Sequence, residues 1–264
     1  MTSLFGFSIA TSGLAAQQRA LETISHNIAN ANTPGFSRQS TAITSAEPMK
    51  VSGRRAGMVG TGANATTISR QRNGFLDLQY RNENTKLAEN QTLADTLAKV
   101  EGVFGEPSES GLRTMTERYW TAWQDLSLNP ESIAARGSVA EAGQALATSL
   151  NSVASNIQQY REDHNLRVKN TVTDINILSS QIASLNKQIS AITSLGQQPN
   201  DLKDQRDLAV DKLSALVEVR TQDNEDGSIK VTAAGRVLVE GAESVPMGTE
   251  LKGTEGFVDI TSYG

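Results

Sequence analysis

From Pro130 to Gly196 the chain runs about 66 residues without an internal proline, and apolar side chains recur there at steps of three and four. The stripe reads Leu146, Leu150, Val153, Ile157, Tyr160, His164, then Val168, Thr171, Ile175, Leu178, Ile182, Leu185, Ile189 and Ile192. This periodicity predicts one continuous helix, roughly 100 Å long at a rise of about 1.5 Å per residue. A rod of that length needs other helices to cover its stripe. Asn129-Pro130 is expected to open it as N-cap and first helical residue, and Gly196 to close it. The consecutive four-residue steps at Tyr160, His164 and Val168 form a stutter, where a supercoil straightens locally.

A second stripe occupies the first segment, with Phe7, Ala10, Leu14, Gln17, Leu21, Ile24, Ile28 and Ala31 in heptad spacing over Ser3 to Ala31. The opposite face is polar (Ser12, Gln18, Arg19, Glu22, Ser25, His26), and Gly13, Ala15, Ala16 and Ala20 keep the helix slim. The helix should stop near Asn32, because Pro34 disfavours helical geometry at Thr33 and Gly35 is free to take a positive φ. Phe36 follows as an apolar anchor. The stretch Asn27, Asn30, Asn32, Thr33, Pro34, Gly35 and Phe36 therefore reads as a joint, its asparagine amides free to bond neighbouring backbone. For subunit contacts, Phe7, Leu14, Leu21, Ile24 and Ile28 are the candidates; the bland alternative is that they face the chain's own core.

Between and beyond these helices the pattern changes several times. Residues 37–73 are rich in Ser, Thr and Gly and are expected to form a linker with short strands. A helix from Gly74 should stop at Gly105-Glu106-Pro107. A shorter one, from about Leu112 to Leu128, gathers Met115, Tyr119, Trp120 and Trp123 and is expected to anchor the core. Another, from Asp201 to about Glu218, should turn Leu202, Ala209, Leu213 and Leu216 inward. Strands follow, with Asp226-Gly227 as a hairpin turn. The expected fold is thus mainly α: long coiled-coil-like helices, an N-terminal axial helix, a short irregular β linker and the start of a β-rich domain. The expected divisions are 1–36, 37–73, 74–218 and 219–264, and the β-rich part reads as cut short at Gly264, as in the N-terminal half of a longer protein.

Composition excludes several function classes. A net charge of −5, with only Arg54-Arg55 and Arg70-Gln71-Arg72 as basic runs, argues against nucleic acid as a partner. Without cysteine there is neither a disulfide nor a thiolate. No apolar run approaches the roughly 18 residues that cross a bilayer, so no membrane insertion is expected. The N-terminus lacks the layout of a cleaved signal peptide.

The usual constellations of chemistry are missing. Gly57, Gly60 and Gly62 lack the Gly-Lys-Ser/Thr of a phosphate loop. If Gly227 took the sixth place of a calcium loop, Gln222 and Ala233 would stand where carboxylates are needed. Asp201, Asp204, Asp207 and Asp211 share a helix with Lys203, Arg206 and Lys212, as on a solvated, ion-paired face. His164 on the apolar stripe is expected to be packed or partner-bonded, and His26 has no catalytic companion. No catalytic residue, metal ligand or cofactor site is expected, and the chain is read as no enzyme.

Ser3-Leu4-Phe5-Gly6, Gly13-Leu14, Gln17 and above all the run Ser25-His26-Asn27-Ile28-Ala29-Asn30-Ala31-Asn32-Thr33-Pro34-Gly35-Phe36 resemble the N-terminal signature of bacterial flagellar rod, hook and hook-associated proteins. Ser37-Arg38-Gln39, Phe75-Leu76-Asp77, Gln79-Tyr80-Arg81 and Asp201-Leu202-Lys203-Asp204-Gln205-Arg206-Asp207 look most like the hook-filament junction members of that family. The resemblance implies an extracellular structural subunit between hook and filament, exported unfolded through the flagellar type III channel without a cleaved signal. It implies partners too: copies of itself in a helical assembly, the hook protein, the second junction protein, and the export apparatus with its chaperone. In such proteins the N-terminal helix pairs with a C-terminal helix in an inner tube and the long helices form the next layer. Rival readings are a rod or hook subunit and, in another class, a free coiled-coil adaptor or export chaperone.

Overall fold

A computed structural model describes residues 2–51, 57–105, 111–252 and 257–262. Arg54-Arg55, the expected helix stop at Glu106-Pro107 and Gly264 lie outside the described residues. The fold is mainly α, with long helices and short antiparallel strands. It separates into two compact units, one of residues up to Thr85 together with Ile175–Pro246, the other built mainly of Lys86–Asp174 and the strands that begin at Met247.

In the first unit, helix α1 (Thr2–Ala29) lies on an antiparallel pair formed by β1 (Gln39–Ser45) and β4 (Ala63–Arg70), in a register that sets Gln39 opposite Arg70 and Ser45 opposite Ala63. Between them β2 (Met49–Val51) and β3 (Gly57–Val59) make a second small ladder. The expected linker is therefore an ordered platform, and a register shift at Ala42/Ile43 bends it. Gly62 takes φ 115° at the start of this platform's second strand, and a Cβ there would land on Ser12 Oγ of α1.

The core of this unit lies where helix α4 (Ile133–Thr193) ends, against helix α5 (Asn200–Ser214) and a four-stranded antiparallel meander. The meander runs β5 (Val219–Asp223), β6 (Ile229–Ala233), β7 (Arg236–Glu240) and β8 (Glu243–Ser244). Ile182, Ile189, Val210, Leu213, Val231, Leu238 and Val239 are almost wholly buried. Strand β6 alternates buried and half-buried side chains, as a sheet with one covered face must. The Asp226-Gly227 turn between β5 and β6 forms as expected: Gly227 has φ 82°, and Asp226 Oδ1 accepts from both the backbone nitrogen and the hydroxyl of Ser228 at 2.9 and 2.6 Å.

One buried amide ties these elements together. The Nδ2 of Asn186 on α4 donates to the carbonyls of Ile229 and Gly241 at 2.8 and 2.7 Å, and its Oδ1 accepts from the backbone nitrogen of Ile229 at 3.1 Å. Arg206 on α5 reaches the same Oδ1 and donates to the Gly227 carbonyl at 2.7 Å. Both the nitrogen and the oxygen of that amide are thus satisfied, as a buried amide requires, with the Arg206 contact the longest at 3.5 Å.

The second unit contains the rest of helix α2 (Gly74–Phe104), helix α3 (Leu112–Leu128), the first part of α4 and an antiparallel pair, β9 (Met247–Lys252) with β10 (Phe257–Ser262). His164 is partner-bonded as expected: Tyr160 Oη lies 2.9 Å from its Nε2, the two rings stack edge to face, and Thr96 Oγ1 is 3.4 Å away.

Four expectations need correction. The aromatic helix α3 is not the core anchor: none of its residues is buried, and Trp120 is 66% exposed. Its indoles sit on the outward side of an amphipathic helix, so aromatic mass alone did not locate the core. Helix α4 begins at Ile133 rather than Pro130, because Ser132 Oγ takes the backbone nitrogen of Ala135 at 3.2 Å and so supplies the cap. Helix α5 ends at Ser214, and Leu216, which follows it, is 38% exposed rather than turned inward. The acidic face of α5 is ion-paired, but with Asp204 and Asp207 buried rather than solvated.

Candidate assembly site and joint

Helix α1 carries two heptad stripes side by side. Large apolar residues make one, and Phe7, Leu14, Leu21, Ile24 and Ile28 on it are 69, 71, 64, 52 and 71% exposed. Small and polar residues make the other, with Ala16 and Thr23 buried and Ser12, Ala20 and Asn27 half-buried. The second stripe is the one that packs. Small side chains let the helix approach the β1–β4 platform closely, and hydroxyls meet it: Thr23 Oγ1 lies 2.7 Å from Thr41 Oγ1, and Ser12 Oγ accepts from the backbone nitrogen of Ala63 at 3.4 Å. Residues that look like mere slimming in the sequence are thus the packing surface. All five candidate contact residues are left facing away from the platform.

The turn after α1 is held from several sides. Asn27 behaves like a residue of a paired strand: its Nδ2 donates to the Gln39 carbonyl and its Oδ1 accepts from the Gln39 nitrogen, both at 2.8 Å. This two-way clasp fixes the last turn of α1 to the first residue of β1. Asn30 Nδ2 donates to the His26 carbonyl at 3.1 Å, while Thr33 Oγ1 donates to Asn30 Oδ1 at 3.2 Å. The Phe36 nitrogen closes the turn on the Thr33 carbonyl at 3.1 Å, and the Phe36 ring meets the His26 ring edge-on at 5.3 Å. Gly35 has φ 80°, and a Cβ there would stand 2.9 Å from the Cβ of Leu208 on α5. Glycine is required on both counts. Asn32 and Pro34 lie exposed on the turn. The structure therefore brings Asn27, Asn30, Thr33, Gly35 and Phe36 together, with α5 as the wall they dock on.

That wall is what sequence reading missed. Asp204 is buried, accepting from the Ser37 nitrogen at 3.0 Å with one oxygen and from Arg70 at 2.8 Å with the other. Arg70 NH1 also donates to Asp207 Oδ2 at 2.8 Å. Arg72 joins Asp77 at 2.7 Å and Asp211 at 3.4 Å, and Arg81 Nε donates to Asp211 at 2.7 Å. Asp201 takes Gln39 Nε2 at 2.8 Å. The carboxylates of α5 thus form a ladder whose rungs are arginines from the platform and the start of α2, not the lysines interleaved with them. The signal was present in the sequence, as four aspartates at steps of three and four beside Arg70, Arg72 and Arg81. Only the fold pairs residues some 130 positions apart.

Burial sets the electrostatics. Desolvation lowers the pKa of Arg206 against the pull of Asp207. Arg72 is also partly desolvated, but its hydrogen bond to Asp77 and the charges of Asp207, Asp77 and Asp211 outweigh that and raise its pKa. Among the described residues no cluster of carboxylates and imidazoles could hold a metal ion, and no helix is long and apolar enough to cross a membrane. Charges here serve docking: each carboxylate of the ladder has a fixed cation or amide.

Comparison with known proteins gives consistent matches. Residues 97–261 match the family described as the flagellar hook-associated protein FlgK helical domain, and residues 7–36 match the flagella basal body rod protein family. Flagellar hook-associated protein 1 of Bacillus subtilis is 38% identical over 246 residues, covering 91% of this chain and 48% of that protein. The protein of the same name from Escherichia coli is 32% identical over 236 residues, covering 88% of this chain and 42% of that one. The chain therefore spans about half the length of the curated relatives it matches. The solved structure of the flagellar hook junction protein FlgK from Burkholderia pseudomallei aligns with a TM-score of 0.65 at 32% identity, over 71% of this chain and 33% of that one.

Proposed function

Because the chain belongs to the flagellar hook-associated protein FlgK family, we propose that it is a structural part of the junction between flagellar hook and filament, assembled with copies of itself into a helical array. The observation that carries this reading is the orientation of α1. The helix is already held by its small-residue stripe, yet keeps five large apolar residues outside. An ordered helix with a free heptad stripe is a ready contact for another helix, and a repeated contact of that kind builds rings or filaments. In this role residues 1–36 form the axial segment with its joint, and the α5 ladder fixes the turn after α1 and the platform on which the helix lies.

The partners that follow are the hook protein on one side, the second junction protein on the other, and the export apparatus with its chaperone on the way out. The chain works outside the cell, is exported without a cleaved signal, and carries out no catalysis. The test is genetic. A strain lacking its own copy of the gene is complemented with the wild type or with Leu14→Asp/Leu21→Asp. The variant should be exported and yet shed its filaments into the medium. Normal, attached filaments from it would overturn the assembly role of the stripe.

A further inference from the structure

Between α1, the turn after it and α5 lies a cavity of about 220 Å³ lined by His26, Asn30, Phe36, Asp201 and Leu208, among others. The imidazole of His26 has a partner at each nitrogen: Asp201 Oδ1 at 3.3 Å from Nε2, and Asn30 Nδ2 at 3.3 Å from Nδ1. The orientation of the Asn30 amide decides what these contacts mean. A backbone carbonyl only accepts, so the side of Asn30 that lies 3.1 Å from the His26 carbonyl must be its NH2. Its oxygen, on the other side, takes the Thr33 hydroxyl at 3.2 Å. The group facing His26 Nδ1 is therefore a donor, and Nδ1 must offer a lone pair to it. The ring proton then sits on Nε2, aimed at the carboxylate of Asp201, which also holds Gln39.

We infer that His26 is a positioning residue of the joint, held by Asn30 as the neutral tautomer protonated at Nε2, and that in this form it links the last turn of α1 to α5. The inference rests on the joint reading of residues 27–36 and names the group through which that joint is set. A second proton on the ring would place N–H against N–H at Asn30. The charged groups facing the ring are Asp201 and Asp204, both on α5. Asp201 Oδ1 is the acceptor set against Nε2.

The chain has only two histidines, so His164→Gln leaves His26 as the sole imidazole. In that ¹⁵N-labelled protein, long-range ¹H–¹⁵N spectra at about pH 8, above the ordinary histidine range, should show a protonated Nε2 and a bare Nδ1. A ring protonated at Nδ1, or averaging between tautomers, would overturn the inference. Asn30→Asp replaces the donor at Nδ1 by an acceptor, so in the same spectra the ring proton should shift from Nε2 toward Nδ1. A proton that stays on Nε2 in that variant would show that Asn30 does not govern the ring. Both measurements use the free chain. They are therefore independent of filament attachment, where the proposed function stands or falls by itself.

Discussion

Gly35 shows how little freedom one residue in the turn after α1 has. With φ at 80° and Leu208 Cβ 2.9 Å from where a side chain would begin, alanine must strain the backbone and push α5 aside. Gly35→Ala should lower stability by about 1–3 kcal/mol in urea unfolding. Combining it with Leu208→Ala should recover the part due to the clash but not the part due to φ. At the other end of α5's unit, Asp226 is held below its ordinary pKa by hydrogen bonds from the Ser228 hydroxyl and backbone. A carboxylate whose folded pKa is depressed contributes stability above the unfolded value and loses it as pH falls through the folded one. The stability gap between wild type and Asp226→Ala should therefore be widest near neutrality and narrow below about pH 3.9. Equal gaps at both pH values would count against that turn as the source.

Among the elements, α1 and α5 divide what the sequence could and could not reveal. The heptad stripe of α1, its stop before Pro34 and the turn at Gly227 were legible because each depends on residues within a few positions of one another. The inner face of α1 was not, since Ala16 and Thr23 declare nothing until a β platform is placed beneath them. Likewise the α5 aspartates read as surface, because their arginines stand on other elements. The same locality explains the misplaced core: tryptophans mark apolar mass, whereas Ile182, Val210 and Leu238 mark the place where three elements converge. Two substitutions measure these hidden contacts. Ala16→Leu should overpack the α1–platform contact and cost about 1–3 kcal/mol, although Leu14 and Leu21 are tolerated two residues before and five after it. Arg70→Ala leaves Asp204 and Asp207 buried without their shared cation and should cost about 3–5 kcal/mol in denaturant unfolding.

At the scale of the whole chain, apolar surface is distributed unevenly between what is packed and what is offered. Ile182, Ile189 and Leu213 are essentially inaccessible, whereas Leu14 and Leu21 on α1 and Trp120 on α3 are more than half exposed. Ordinary monomers seldom leave helical stripes of that size to water. In the proposed role the α1 stripe is covered on assembly. Backbone exchange would report this poorly, because α1 is already ordered by the platform in the free chain; a side-chain probe reports it directly. The chain has no cysteine, so Leu21→Cys introduces a single thiol on the stripe. A water-soluble maleimide should label it at the rate of an exposed thiol in the free protein. In assembled hook-filament junctions the same thiol should be shielded, with the rate falling at least tenfold. The control is Glu22→Cys, at an exposed position about 100° round α1 from Leu21, which separates cover of the stripe from general crowding of the helix. Fast labelling of Leu21→Cys in junctions that still hold their filaments would mean that the stripe is not the subunit contact.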